Sequence, residues 1–265
     1  MRKLWSVVLG GILLLGLSLP AMSQAEDITI VGTGDGTSVL ASIGKAFSQA
    51  NAGLTVVLPD SIGSGGGIKA VGKDEAVIGR VVRKLKEKEA EFGLTYVPVF
   101  RLPTVFFVNT GVSVEGVTSQ QIVDIYSGKI TNWKDVGGSD AKIRVVRREE
   151  GDSSLENLVK TFPGFSGITI TEQSKTAIKT GEMVGLVNEK ADAVGFGPLD
   201  VALENGLKAL KIDGKGPTDA GYPSFNTVGL VFKEANKQGN VKKFIEFATS
   251  PAALEAVTAA GGLGL

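Results

Sequence analysis

Three segments of this chain share one design: a β-prone run, a turn rich in glycine and hydroxyl side chains, and the start of a helix. They are Gly32-Thr33-Gly34-Asp35-Gly36-Thr37-Ser38, Ile62-Gly63-Ser64-Gly65-Gly66-Gly67 and Arg147-Arg148-Glu149-Glu150-Gly151-Asp152-Ser153-Ser154. The first N–H groups of a helix lack intrahelical partners and carry the positive end of its dipole. Glycine lets backbone approach a ligand closely, and Ser and Thr hydroxyls add rotatable donors. One such turn is ordinary helix capping. Three in one chain, one of them beside Arg148, point to a shared site for a small oxyanion.

Other chemistries are excluded by residue type. The sequence has no Cys and no His, which removes thiolate catalysis, thiolate metal sites, Ser-His-Asp arrangements and the commonest metal ligand. Gly32-x-Gly34-x-Gly36 has the wrong spacing for a dinucleotide fingerprint. No Gly-Lys-Ser/Thr follows Gly63, so that run is not a nucleotide P-loop. Charges balance at 28 basic and 28 acidic residues. No global field draws nucleic acid or an anionic membrane, so an anion must be held by a local site.

The elements that would position these turns alternate strand and helix. Asp27–Val31, Leu54–Leu58, Val77–Gly79, Lys142–Arg147, Ala191–Phe196 and Thr227–Phe232 read as strands. Ser38–Ala50, Thr118–Ser127, Ser154–Phe162, Asn240–Thr249 and Pro251–Ala260 carry the helical period, and Lys84–Phe92 reads as a charged helix. Gly63–Gly67 reads as a tight turn into a short helix at Ile68–Val71. Tyr96–Asn109 is a long, nearly all-apolar strand, able to cross between two lobes. The pattern predicts an α/β fold with mostly parallel sheets flanked by helices. Ligands of such folds sit where strand-to-helix turns converge. Ahead of this, Met1-Arg2-Lys3, an apolar run to Leu19 and a small-residue stretch ending at Ala25 read as a secretory signal peptide, residues 1–25.

The sequence resembles the phosphate-binding proteins of bacterial phosphate ABC transporters, within the type II periplasmic binding-protein fold. Four stretches carry the resemblance: Gly63–Ala70, the block Ile125–Gly138 around Trp133, Arg148–Ser154, and the end with Gly221-Tyr222-Pro223, Phe244–Phe247 and Ser250-Pro251. The resemblance implies a two-lobed molecule with a ligand cleft between the lobes. Lobe 1 would hold residues 26–107 and 228–265, and lobe 2 residues 108–227. It implies a monomeric, non-enzymatic, cofactor-free periplasmic protein that captures phosphate or a similar oxyanion for a membrane ABC permease.

Residue by residue, the resemblance implies donors from Gly36 and Thr37, from Ser64 and the N–H of Gly65, a charged fork from Arg148, and closure by Ser153 and Ser154. Three positions depart from the family's pattern. Val82 stands where a polar ligand-facing residue is usual, and Arg80 is extra, aimed at the anion or lying on the surface. Asp152 replaces a Ser in the Arg148 loop. Asp152 or Asp35 could accept the proton that phosphate keeps near neutral pH and sulfate lacks; equally, Asp152 could be a helix N-cap and Asp35 a turn residue. The competing function class is a secreted phosphatase or esterase with Ser64 or Ser153 as nucleophile. A surface sensor that kept the fold is a third.

Overall fold

A computed structural model describes residues 26–265, so the expected signal peptide lies outside the described residues. The elements in chain order are β1 (Glu26–Gly32), α1 (Thr37–Ala50), β2 (Leu54–Val57), α2 (Gly63–Gly72), β3 (Ile78–Val81), β4 (Thr95–Val108), β5 (Gly116–Val117) and α3 (Ser119–Tyr126). Then come β6 (Arg144–Arg148), α4 (Ser153–Thr161), β7 (Lys175–Ala177), α5 (Thr180–Glu189), β8 (Ala193–Pro198), α6 (Leu199–Glu204), β9 (Lys208–Ala209) and β10 (Lys211–Ile212). The chain ends with β11 (Phe225–Phe232), α7 (Gly239–Ala248) and α8 (Leu254–Ala259).

Strands follow the order β2-β1-β3-β11-β4-β8-β6-β7. β1 pairs in parallel with β2 and β3, and β6 pairs in parallel with β7 and β8. The two parallel groups are joined by antiparallel pairing through β11 and β4. At ~3.3 Å per residue, the apolar β4 is about 45 Å long. That length lets one strand serve both groups: Thr95–Pro103 pairs with β11, and Thr104–Val108 pairs with β8. The register of β11 on β4 shifts between Val228 and Gly229. A Cβ on Gly229 would collide with the Tyr96 ring, so glycine is required at this shift.

Side chains divide into two main cores. One gathers Ile28, Ile30, the α1 stripe Val39, Leu40, Ile43 and Phe47, and Phe100, Leu102, Val228 and Phe232. The other gathers Val105–Val108, Ile122, Tyr126, Trp133, Leu158, Phe162 and Phe196. The cores change over between Leu102 and Val105 and again between Tyr222 and Val228. Val105, Phe106 and Phe107, expected in the first lobe, pack in the second core. A polar node sits at the changeover: Asn157 Nδ2 donates to Thr104 Oγ1 at 3.0 Å and to Ser224 Oγ at 2.9 Å.

Three local readings change. The glycine run Gly63–Gly67 is itself the first turns of α2. A Cβ on Gly67 would stand 2.8 Å from Gly32 Cα, so its glycine lets α2 lie against β1 rather than form a turn. The charged stretch after Lys84 forms a short 3-10 helix, Glu87–Phe92. Between Phe162 and Ala191 the chain forms β7 and α5, neither of which the sequence reading placed.

Candidate anion-binding site

A cleft of about 600 Å³ opens where four strand-to-helix turns meet. The loop before α1 contributes Thr33, Gly34 and Asp35; the approach to α2 and its start contribute Ser61, Gly63, Ser64 and Gly65. The β6–α4 turn supplies Arg148, Asp152 and Ser153, and the start of α5 supplies Thr180 and Gly181.

Helix α2 begins without a side-chain cap. By helix geometry the N–H groups of Ser64 and Gly65 have no intrahelical partner. Ser64 Oγ accepts from Val82 N at 3.2 Å, which leaves its own O–H to donate. Val82 therefore contributes through its backbone, and its side chain is buried in the first core. Helix α5 also begins without a side-chain cap, at Thr180. Both dipoles thus open into one cleft.

Arg148 is buried and fully engaged. Nε donates to Ala177 O at 3.2 Å, Nη1 to Thr180 Oγ1 at 3.1 Å and Nη2 to Ile178 O at 3.2 Å. Glu149 and Asp152 flank it, with Nη2 to Asp152 Oδ2 at 3.0 Å. The guanidinium thereby ties the β6–α4 turn to the start of α5. Across the cleft Arg83 is clamped by Glu89 at 2.8 Å on both nitrogens. Each arginine at the site already faces a carboxylate. Attraction for an anion then rests on oriented N–H and O–H donors rather than on net positive charge.

Asp152 is the N-cap of α4. Its Oδ1 accepts from Ser154 N and Leu155 N at 3.0 Å each, and its Oδ2 meets Arg148. Asp35 is differently placed. It is buried, and its Oδ2 accepts from Ser153 Oγ at 2.8 Å. Burial pushes its carboxyl up to about 6; the Ser153 hydrogen bond and Arg148 pull it down, while Asp152 pushes it up.

Of the ten residues expected from the sequence, Asp35, Ser64, Gly65, Arg148, Asp152 and Ser153 line this cleft. Gly36, Thr37, Arg80 and Ser154 do not. Gly36 has φ 74° and caps α1 against Phe100 and Val228. Thr37 Oγ1 turns back to Gly34 O at 2.8 Å. Ser154 is buried, with its N–H spent on Asp152. Arg80 is 1% exposed and points into the first lobe. Its Nε donates to Thr33 O and its Nη2 to Pro59 O, both at 2.6 Å, and its Nη1 to Ile30 O. It is neither an anion ligand nor a surface residue; it braces the loops behind the cleft. Sequence reading missed Thr33, Ser61, Arg83 and the start of α5. For α5 a signal was present: Thr180-Gly181 ahead of Met183, Val184 and Val187, which are buried at helical spacing.

This architecture and cleft are those of a two-lobed solute-binding fold. The chain belongs to the PBP superfamily: a family model described as a PBP superfamily domain matches residues 20–252. It is 25% identical over 251 residues to the phosphate-binding protein PstS of Borreliella burgdorferi, spanning 89% of this chain and 90% of that one. To PstS of Bacillus subtilis it is 26% identical over 194 residues, 72% of this chain and 63% of the relative. Among solved structures it is similar to a candidate phosphate ABC transporter substrate-binding protein with bound phosphate from Clostridium perfringens. There the TM-score is 0.75 at 28% identity, covering 91% of this chain and all of that one. An ABC-type phosphate transport receptor from Vibrio cholerae gives TM-score 0.61 at 26% identity, over 91% of this chain and all of that one. These relatives are named as binding proteins and receptors, not enzymes.

Proposed function

We infer that this protein captures inorganic phosphate between its lobes and presents it to a membrane ABC permease. The observation that carries the reading is the opening of two uncapped helix starts, α2 and α5, into a cleft that also holds the buried carboxyl of Asp35. Helix starts and the Ser64 hydroxyl supply donors for phosphate oxygens. Asp35 supplies an acceptor for the one hydrogen that a phosphate dianion retains. Both oxygens of Asp152 are already engaged, which favours Asp35 as the proton acceptor. Sulfate, fully ionised, would place a lone pair against that carboxylate and be repelled. The names of the relatives, whose similarity extends over most of the chain, favour the same ligand.

In this reading the two cores move as bodies about β4 and β11, with the Asn157 node at the pivot, and residues 1–25 direct export to the periplasm. Isothermal calorimetry with phosphate and with sulfate tests it. One phosphate per chain, little or no sulfate binding, and a narrowed preference in Asp35→Asn are expected. Absence of heat with phosphate would overturn the reading. Docking is checked separately by phosphate-dependent stimulation of the permease's ATPase activity.

A further inference from the structure

The start of α1 does not open into the cleft. Two carboxylates of α6, from the other lobe, cover it. Ser38 Oγ, in the first turn of α1, donates to Glu204 Oε1. Asp200 lies deeper, 2% exposed, with neither carboxylate oxygen in a hydrogen bond. It faces the N–H groups of Ser38 and Val201, which lower its proton affinity without forming hydrogen bonds of good geometry. Leu199 and Ala202, on either side of Asp200 in α6, pack in the second core. The stripe of α1 packs in the first. Asp200 therefore sits where the lobes meet, behind the loop that carries Asp35.

An unpartnered carboxylate in such a place is costly to ionise. Burial is the main cause that pushes Asp200 up to about 7, and the negative charge of Asp35 is next; Glu204 adds to it. The charged groups acting on Asp35 in turn are Asp152 and Arg148.

We propose that Asp200 is a positioning residue for anion capture: by staying protonated behind Asp35, it keeps the carboxylate charge beside the bound anion at one rather than two. This rests on the phosphate reading above and deepens it. Asp35 must be ionised to accept a hydrogen from phosphate. A dianion arriving beside ionised Asp35 makes a second negative charge at Asp200 still less favourable. Binding near neutral pH therefore draws a proton onto Asp200. As pH rises above about 7, Asp200 loses that proton, and the anion site weakens.

The test compares wild type with Asp200→Asn, a neutral side chain of nearly the same shape, and with Asp200→Ser as a second uncharged variant. Phosphate binding is measured by calorimetry from about pH 6 to about pH 9, in buffers of different ionisation enthalpy, which reports protons taken up per phosphate bound. The proton that phosphate itself exchanges is common to all three proteins and cancels in the comparison. At neutral pH wild type takes up a larger fraction of a proton than either variant. Above about pH 7 its affinity falls relative to the variants by up to about tenfold per pH unit, the slope of one linked proton. Equal proton counts and parallel pH profiles overturn the role of Asp200. Wild type that binds no phosphate at any pH overturns the phosphate reading instead, so the two failures are distinct.

Discussion

Ser153 Oγ donates to Asp35 Oδ2 at 2.8 Å, joining residues 118 positions apart in the chain and on opposite walls of the cleft. Asp35 belongs to the loop that feeds α1, whose stripe packs in the first core; Ser153 begins α4, which contributes Leu155 and Leu158 to the second. The contact is therefore made only when the lobes are together. It also orients the carboxyl assigned to the hydrogen of phosphate.

Ser153→Ala removes this bridge while leaving the Asp152 cap of α4 in place. Loss of a hydrogen bond to a charged group costs about 1.5–3 kcal/mol. Phosphate affinity should drop by roughly tenfold or more, and the apo protein should shift toward a more extended form. Calorimetry reads the first and small-angle scattering the second. Wild-type affinity in the variant would show that the bridge does not couple closure to binding.

Asp35 also makes the empty protein sensitive to pH. Its carboxyl sits at about 6 in the folded chain against an ordinary 3.8, chiefly through burial. The folded state holds this proton more tightly than the unfolded state. The resulting stabilisation is fully present below about pH 4 and is lost as pH rises through about 6, on the order of 3 kcal/mol in all. Melting temperatures measured without phosphate should fall over that window in wild type and fall less in Asp35→Asn. Parallel curves would mean that Asp35 does not titrate in this range.

The legible part of the fold was the part written in periodicity. The stripe Val39, Leu40, Ile43 and Phe47 marks α1, and the apolar length of β4 marks the crossing strand. Arg148 and the Gly-rich start of α2 were legible as anion chemistry because charge and glycine are visible one residue at a time. What was not legible depends on partners distant in sequence. Arg80 looks like a spare cation beside an anion site, yet the carbonyls of Ile30, Thr33 and Pro59 claim it. Asp152 was legible both as a ligand-loop departure and as an N-cap, and the N–H groups of Ser154 and Leu155 decide for the cap. The α5 start went unread although Thr180-Gly181 and the spacing of Met183, Val184 and Val187 mark it.

Arg80 offers a contrast between bracing and binding. Arg80→Met keeps most of the buried stem but leaves three carbonyl oxygens without their donor. An unsatisfied buried carbonyl costs about 1–3 kcal/mol, and Ile30 and Thr33 are buried while Pro59 is exposed, so the melting temperature should fall. The ratio of phosphate to sulfate affinity in the folded fraction should stay near that of wild type, since Arg80 does not line the cleft. A changed ratio would place its influence on the anion itself.

Arg148 and Thr180 give the remaining prediction, because one hydrogen bond between them links two walls of the site. Arg148→Ala leaves Asp152 buried without its cation; breaking such a pair costs about 3–5 kcal/mol. That variant should lose both stability and phosphate binding, so alone it cannot separate the two. Thr180→Val removes only the acceptor of Arg148 Nη1, and Arg148 keeps Ala177 O, Ile178 O and Asp152. Stability should then change by about 1 kcal/mol or less. Phosphate affinity should fall further than stability, because the freed nitrogen no longer fixes the start of α5 against the cleft. Chemical denaturation and calorimetry on the same variant measure the two quantities. An affinity loss no larger than the stability loss would show that α5 is held by its packing and that the Arg148–Thr180 hydrogen bond does not shape the site.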